Sequence, residues 1–303
     1  MKHQGTMNLV AEKMNLPVSL RKPFTLSHIF SFMRYPAVAG RFYPADKGEL
    51  LVDIESCFLH EIGPGLPQHT GGERMISAAI APHAGYMASG MNAAYTYRKI
   101  AEDGLPEAYI LIGPDHHGVP YRMVMCDEDF LTPLGPCKIH KEIAAKLKEM
   151  IPCDCSAHKY EHSIEVQLPF IQFIDKDPKI VPIIMGDQSK ASAERLSAYI
   201  KEACKGRDVI IIASSDMAHY IPKEDAERLN SMVLERIRAK DVDGMYSVVE
   251  ENRISVCGYG PMATAILESE PSRIEILKYS DSWDSLEYDI RAVVGYCSAV
   301  MYK

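Results

Sequence analysis

The stretch Asp208–Tyr220, DVIIIASSDMAHY, decides how the rest of the chain is read. Val209–Ile212 is an unbroken β-branched run that gives way to small residues and then to Ser214, Ser215, Asp216 and His219. Two other stretches follow the same pattern. Met75–His83, MISAAIAPH, ends in Pro-His, and Tyr109–His117, YILIGPDHH, ends in Gly-Pro-Asp-His-His. Short apolar runs bounded by Gly or Pro suit central strands of a parallel sheet covered on both faces. Ligands of open α/β sheets collect beyond the carboxyl ends of the strands. Three strands are therefore expected to deliver imidazoles to one edge of one sheet. A single histidine after a strand is more often a capping or hydrogen-bonding residue than a ligand; three in the same setting point to a shared site.

Outward from these runs, strand and helix patterns alternate along the chain. Helices are expected at about Asp46–Leu59, Ser89–Glu102, Ile139–Met150, Ser189–Cys204, Lys223–Arg238 and Val242–Glu250. Another leaves the glycine-rich turn Val256–Pro261 and runs to Ser269. Glu161–Ile174 reads as a helical run that Pro169 kinks or ends. Arg122–Cys126, Ile180–Met185, Arg273–Tyr279 and Arg291–Met301 read as further strands, and Leu131–Pro136 as a turn-rich linker. The alternation predicts an α/β fold, a single αβα-layered domain with a central, mostly parallel or mixed sheet. Residues 1–32 show no apolar period and no unbroken hydrophobic segment of a secretory signal. They read as a poorly ordered extension, with the folded domain at 33–303.

Composition excludes several partners. The 303 residues carry a net charge of −8 and no Lys/Arg block, which argues against nucleic acid. No apolar stretch is long enough to span a membrane. Eight scattered cysteines with no CxxC pair read as reduced thiols of a cytoplasmic protein, and Cys153-Asp154-Cys155 as an incidental pair. The oligomeric state is left open.

The chemistry concentrates at the strand ends. His83 and His116 are the best imidazole candidates, because each follows a Pro that closes its strand. His117 competes with His116. Cys257 is the best anionic candidate: it precedes Gly258 and Gly260 at a helix start, where the helix dipole favours thiolate. The alternative for it is a small buried apolar side chain. Asp216 and His219 suit acid–base work near neutral pH. On the expected helix, Glu161 and Glu165 share a face with His162, either to orient it or as a solvated charged surface. Phosphate-loop, dinucleotide, zincin and nucleophile-elbow motifs are absent from the sequence. Ser214 and Ser215 lie too close in sequence to Asp216 and His219 for a hydrolase triad.

Six segments, VAGRFYP, APHAGY, GPDHHG, EHSIEVQLPF, SSDMAH and CGYGP, run in that order from Val38 to Pro261. Together they resemble the Memo family, which includes the AmmeMemoRadiSam system protein B group and is similar in fold to class III extradiol dioxygenases of the LigB type. The resemblance implies a LigB-like domain with its site at the strand ends. It implies a metal held by His83, His116 and Cys257, with iron or copper as the metal. By motif His219 takes the position of the dioxygenases' acid–base histidine, with Asp216 beside it. The dioxygenases hold iron with two His and a Glu; a thiolate in the third position is softer and shifts preference toward copper or a more reducible iron. Two functions follow as expectations. One is a metal-dependent oxidoreductase acting on a small molecule. The other is a non-catalytic protein that carries metal or binds a peptide in the same cleft.

Overall fold

The computed structural model describes residues 33–303, and the segment 1–32, expected as a poorly ordered extension, lies outside the described residues. Its strands, in chain order, are β1 (Met33–Arg34), β2 (Ile76–Ala81), β3 (Ala108–Pro114), β4 (Met123–Met125), β5 (Asp129–Thr132), β6 (Gly135–Ile139), β7 (Lys179–Met185), β8 (Val209–Ser214), β9 (Asp216–Ile221), β10 (Arg273–Asp281) and β11 (Val293–Tyr302). They form one sheet in the order β1-β5-β6-β7-β3-β8-β2-β11-β10, with β4 on β7 and β9 on β11. The centre, β6-β7-β3-β8-β2, is parallel, and the β5–β6, β2–β11 and β11–β10 pairs that flank it are antiparallel. Every residue of β3 is buried, so both faces of the central sheet are covered, as its continuous apolar run requires.

The helices are α1 (Lys47–Leu59), α2 (Met91–Asp103), α3 (Lys141–Leu147), α4 (Leu168–Ile174), α5 (Lys190–Ala203), α6 (Lys223–Arg238), α7 (Val242–Glu251), α8 (Tyr259–Ser269) and α9 (Ser282–Leu286). The α1, α2 and α4 helices pack on one another, and α2 packs on β2, β10 and β11. A second group, α5, α7 and α8, packs through α8 on β2, β3 and β8. The result is the expected α/β domain with a mixed sheet.

The parallel register sets the functional edge. Ala81 of β2 pairs with Ser214 of β8, and Ile112 of β3 pairs with Ala213 of β8. The three histidine-bearing runs are thus neighbouring strands that end level with one another. His83 lies two residues past the end of β2, and His116 two past the end of β3.

Three local readings need correction. The expected linker at Leu131–Pro136 is the turn of a β5–β6 hairpin, with Thr132 opposite Gly135. The run Glu161–Ile174 is not one helix: Glu161–Ser163 is irregular, a 3₁₀ turn covers Glu165–Gln167, and α4 begins at Leu168. Pro169 sits in the first turn of α4, where its missing N–H has no partner to lose, so it opens the helix rather than kinking it. Beyond β8 the chain continues through Asp216 and His219 as β9, which pairs with β11. Finally, Cys126 and Cys155 are disulfide-bonded, against the expectation that all cysteines are reduced. Their Cα atoms come within 4.5 Å because the segment Pro152–Asp154 lies along β4, with Met125 bridged to Cys153.

Candidate metal centre

The structure brings together His83, His116 and Cys257: one donor atom from each lies within 4.8 Å of the others. The His83 and His116 rings are 5.2 Å apart at 81°. His83 Nε2 is 3.2 Å from Cys257 Sγ. His117, the competitor of His116, is exposed and turns instead toward Tyr160.

The tautomer of His83 follows from its neighbours. Its Nδ1 is 2.8 Å from Ser214 Oγ. That hydroxyl has one hydrogen, and it is donated to the Ser163 carbonyl at 2.6 Å, since a carbonyl can only accept. Gln167 Nε2 also donates to Ser214 Oγ, at 2.8 Å. The Gln167 amide is itself oriented by the Pro82 carbonyl, which accepts from Nε2, and by the Tyr97 hydroxyl, which donates to Oε1. Ser214 Oγ must therefore accept from His83 Nδ1, and the Nε2 lone pair is left pointing at Cys257. Burial, reinforced by the neighbouring His116 and His162, pushes the His83 pKa well down and keeps the ring neutral.

His116 is held differently. Its Nδ1 lies 2.9 Å from Glu161 Oε1, and its backbone N–H donates to Oε2 of the same carboxylate. Glu161 also accepts the backbone N–H groups of His162 and Ser163. Burial works against the Glu161 charge, but the His116 hydrogen bond and charge and the Ser163 amide prevail, and its pKa falls far below the carboxylate range. Burial likewise works against His116, and Glu161 outweighs it, so the His116 pKa rises. With Nδ1 facing the carboxylate, Nε2 is the nitrogen left to bind.

His162 joins this group. Its ring is 4.5 Å from that of His116 and 5.5 Å from that of His83, and His116, Glu161 and His162 form a second set of donors within 4.8 Å. Burial and the His116 charge push its pKa down to about 4, against the opposing pull of Glu161. The expected face shared by Glu161, His162 and Glu165 does not exist, because Glu161 precedes the helix. Glu165 points the other way, fully buried, and binds Arg34, the Tyr43 hydroxyl and the amides of Ala37 and Val38. Arg34 also donates to the Glu161 and His158 carbonyls. The VAGRFYP segment is thereby locked behind the loop that carries Glu161.

Cys257 sits just before α8. The Asp216 amide donates to its sulfur at 3.1 Å, and the Gly258 amide donates to Ser215 Oγ. Gly258 is required here: a Cβ would stand 2.5 Å from the Ser214 carbonyl oxygen and 2.6 Å from Ser215 Cβ. The expectation of a thiol acidified by the helix start is not met. Burial first, and then the Asp216 carboxylate, raise the Cys257 pKa, so without a cation the group is a thiol.

The remaining pair is wired to separate partners. Asp216 is buried, and its Oδ1 accepts the His83 backbone N–H at 2.8 Å. Burial raises its pKa to about 6, with the His83 and Ala84 amides and the His219 and His116 charges opposing. His219 is half-buried, and its Nδ1 donates to the Ser255 carbonyl at 2.7 Å, which leaves Nε2 as an acceptor. Asp216 therefore braces the His83 backbone rather than orienting His219.

The donor set suits a metal ion. Two neutral-capable imidazoles and a thiol converge, each imidazole has its second nitrogen fixed by a protein partner, and such outer partners are a regular feature of ligating histidines. The groups that sequence reading missed are Ser214 as the tautomer-setting acceptor and Gln167 behind it. The EVQLPF segment contains Gln167, but nothing local in it signals a contact with residues 82, 97 and 214.

Comparison with known proteins gives a consistent picture. A family model described as Memo-like protein matches residues 34–300. A MEMO1 family protein of Methanopyrus kandleri is 41% identical over 281 residues, covering 89% of this chain and 99% of that protein. MEMO1 family proteins of Methanobrevibacter smithii and Pyrococcus abyssi are 38% and 41% identical, covering 88% and 89% of this chain and 99% and 100% of their own lengths.

Proposed function

We infer the function from one premise: this chain belongs to the Memo-like protein family. On that premise we propose a mononuclear metal protein in which His83, His116 and Cys257 hold iron or copper, working as a metal-dependent oxidoreductase related to non-haem dioxygenases. The observation that carries this reading is the fixed His83 tautomer. A hydroxyl whose only hydrogen is committed elsewhere holds Nδ1–H and presents the Nε2 lone pair to Cys257 Sγ, 3.2 Å away. A histidine that only filled space would not need this arrangement.

Each residue has a separate task. His83 offers Nε2. His116 offers Nε2 while the Glu161 carboxylate makes its ring a stronger donor. Cys257 gives up its proton when a cation binds, because metal coordination favours the thiolate. Asp216 fixes the backbone at His83, and its amide steadies the sulfur. His219, with Nδ1–H tied to Ser255, accepts or returns a proton at Nε2. Bound iron or copper would supply one-electron redox chemistry with coordination positions left open for substrate. The substrate class is a small oxidisable molecule entering at the strand ends, and the place of action is the cytoplasm. No helix among the described residues is long and apolar enough to cross a membrane.

The test is to load the full chain anaerobically with iron(II), or separately with copper, remove free metal and count what is retained. Oxygen uptake with catechols is then followed. One retained equivalent with uptake supports the oxidoreductase. One equivalent without uptake leaves a metal-carrying protein, and no retained metal overturns the site.

A further inference from the structure

The disulfide lies among groups that the reading above does not use. We propose that Cys126, Cys153 and Cys155, with Glu128, form a second metal site for a thiophilic divalent cation, open only when the Cys126–Cys155 bond is reduced. Donor atoms of Cys126, Glu128 and Cys155 already lie within 4.8 Å of one another. Cys153 is the third thiol. The chain at Asp154 is extended, so residues 153 and 155 face the same way while Asp154 faces the other, where it accepts from the Tyr121 hydroxyl at 2.9 Å. The Asp127 carboxylate lies on the Cys155 side, 3.7 Å from Cys155 Sγ.

Two further features suit thiolate ligands. The Glu128 backbone N–H points at Cys126 Sγ at 3.4 Å, an arrangement that stabilises a charged sulfur more than a neutral one. Lys148 reaches Asp127 at 2.6 Å and so brings a positive charge beside a site that would gather several negative ones. Cys153 lies outside that close group, and with its sulfur drawn in, three sulfurs and a carboxylate oxygen would make a four-donor set of the kind zinc takes. Cys155 is half-buried, so a reductant can reach it, whereas Cys126 is buried.

The two states exclude each other. Two electrons and two protons from a dithiol reductant break the S–S bond, and the reductant leaves as its own disulfide. Zinc then displaces the thiol protons to solvent. Reoxidation by a disulfide expels the metal and re-forms the bond.

Zinc alone is the probe. The full chain is prepared oxidised, and in parallel reduced by a phosphine that is then removed. Each is incubated with zinc and desalted, and bound zinc is counted by mass spectrometry. Reduction should add one equivalent in the wild type and equally in Cys257→Ser, because the two sites are independent. It should add none in Cys126→Ser or Cys155→Ser, and Cys153→Ser should weaken the added equivalent. Should a variant fail to fold, the reduced wild type gives a second readout. Zinc should slow alkylation of Cys126, Cys153 and Cys155, mapped by peptide, by roughly tenfold, because the coordinated thiolate is no longer a free nucleophile. An oxidised and a reduced chain that bind the same amount of zinc, or equal alkylation rates with and without it, would overturn the proposal.

Discussion

On one wall of the cleft, made by β2 and β8, His83 is buried and its ring Nδ1 is held by neutral groups. Its Nδ1 meets a hydroxyl, the hydroxyl meets a carbonyl and an amide, and the amide meets a tyrosine. On the other wall, His116 is partly exposed at the end of β3 and is held by a buried carboxylate that accepts three backbone N–H groups as well. Both walls engage Nδ1 and leave Nε2 free to bind. They do so with different physics. The neutral wall works by geometry and keeps its imidazole uncharged, while the charged wall works by electrostatics and raises the basicity of its ring. One side sets direction and the other strength, and substitutions should separate the two.

The largest effect is expected on the charged wall. Glu161→Ala leaves the His116 ring and three amides without their acceptor. Each buried group so orphaned costs about 1–3 kcal/mol, so the variant should lose at least ~3 kcal/mol of stability. Metal affinity should fall ~10–100-fold, as for other lost outer partners. Chelator competition and a denaturant melt measure both. A Glu161→Ala chain that binds metal like the wild type would break the comparison.

A pH effect of similar size comes from behind the same wall. His158 is buried, with Nε2 3.3 Å from the Val124 carbonyl and its own carbonyl bound by Arg34. Burial lowers its pKa to about 4, with the Val124 contact opposing. The unfolded chain, with an ordinary histidine near 6.5, therefore takes up the proton first. The stability due to neutral His158 is complete above pH ~6.5, falls as pH drops toward ~4 and is constant below, a loss of up to ~3 kcal/mol. Because His158 lies away from the donor cluster, His158→Gln should flatten this part of the acid limb without changing metal stoichiometry. Melts across that pH range decide it.

Smaller effects belong to the neutral wall. Ser214→Ala removes the acceptor of His83 Nδ1–H and should cost ~1–3 kcal/mol, because Gln167 Nε2 also loses a partner. Metal affinity should fall by ~10-fold, the low end for such partners, since the ring remains packed. Tyr97→Phe acts one step further out, on the Gln167 carbonyl oxygen, and should cost about 1 kcal/mol with little change in metal binding. If Tyr97→Phe damages binding as much as Ser214→Ala, direction is not set at the hydroxyl.

What could be read from the sequence divides along physical lines. The three histidine strands announce themselves because a buried parallel strand needs a continuous apolar run, and β3 has no exposed residue. The convergence of His83, His116 and Cys257 was reachable from topology and from the motif resemblance together. The choice of His116 over His117 was not legible in the residues alone, because it depends on Glu161, 45 residues away. The Ser214–Gln167 network has no local signature, since its members lie 47 residues apart and meet only after the 3₁₀ turn at Glu165–Gln167 comes against the end of β8. Pro169 misled because the same residue breaks a helix interior and opens a first turn. Scattered cysteines misled because Cys126 and Cys155 become neighbours only when the Pro152–Asp154 segment lines up beside β4.

The most direct test of the whole account compares two variants of neighbouring groups. Metal content of Cys257→Ser and His219→Ala is measured side by side by mass spectrometry after identical loading with iron(II) and removal of free metal. A serine hydroxyl is barely ionised at neutral pH, so Cys257→Ser should lose most of its metal. His219 is tied to Ser255 and outside the donor set, so His219→Ala should stay close to one equivalent while any turnover drops by ~10²–10⁴. The reverse result, a full site in Cys257→Ser and an empty one in His219→Ala, would contradict the assignment of His83, His116 and Cys257 as the ligands.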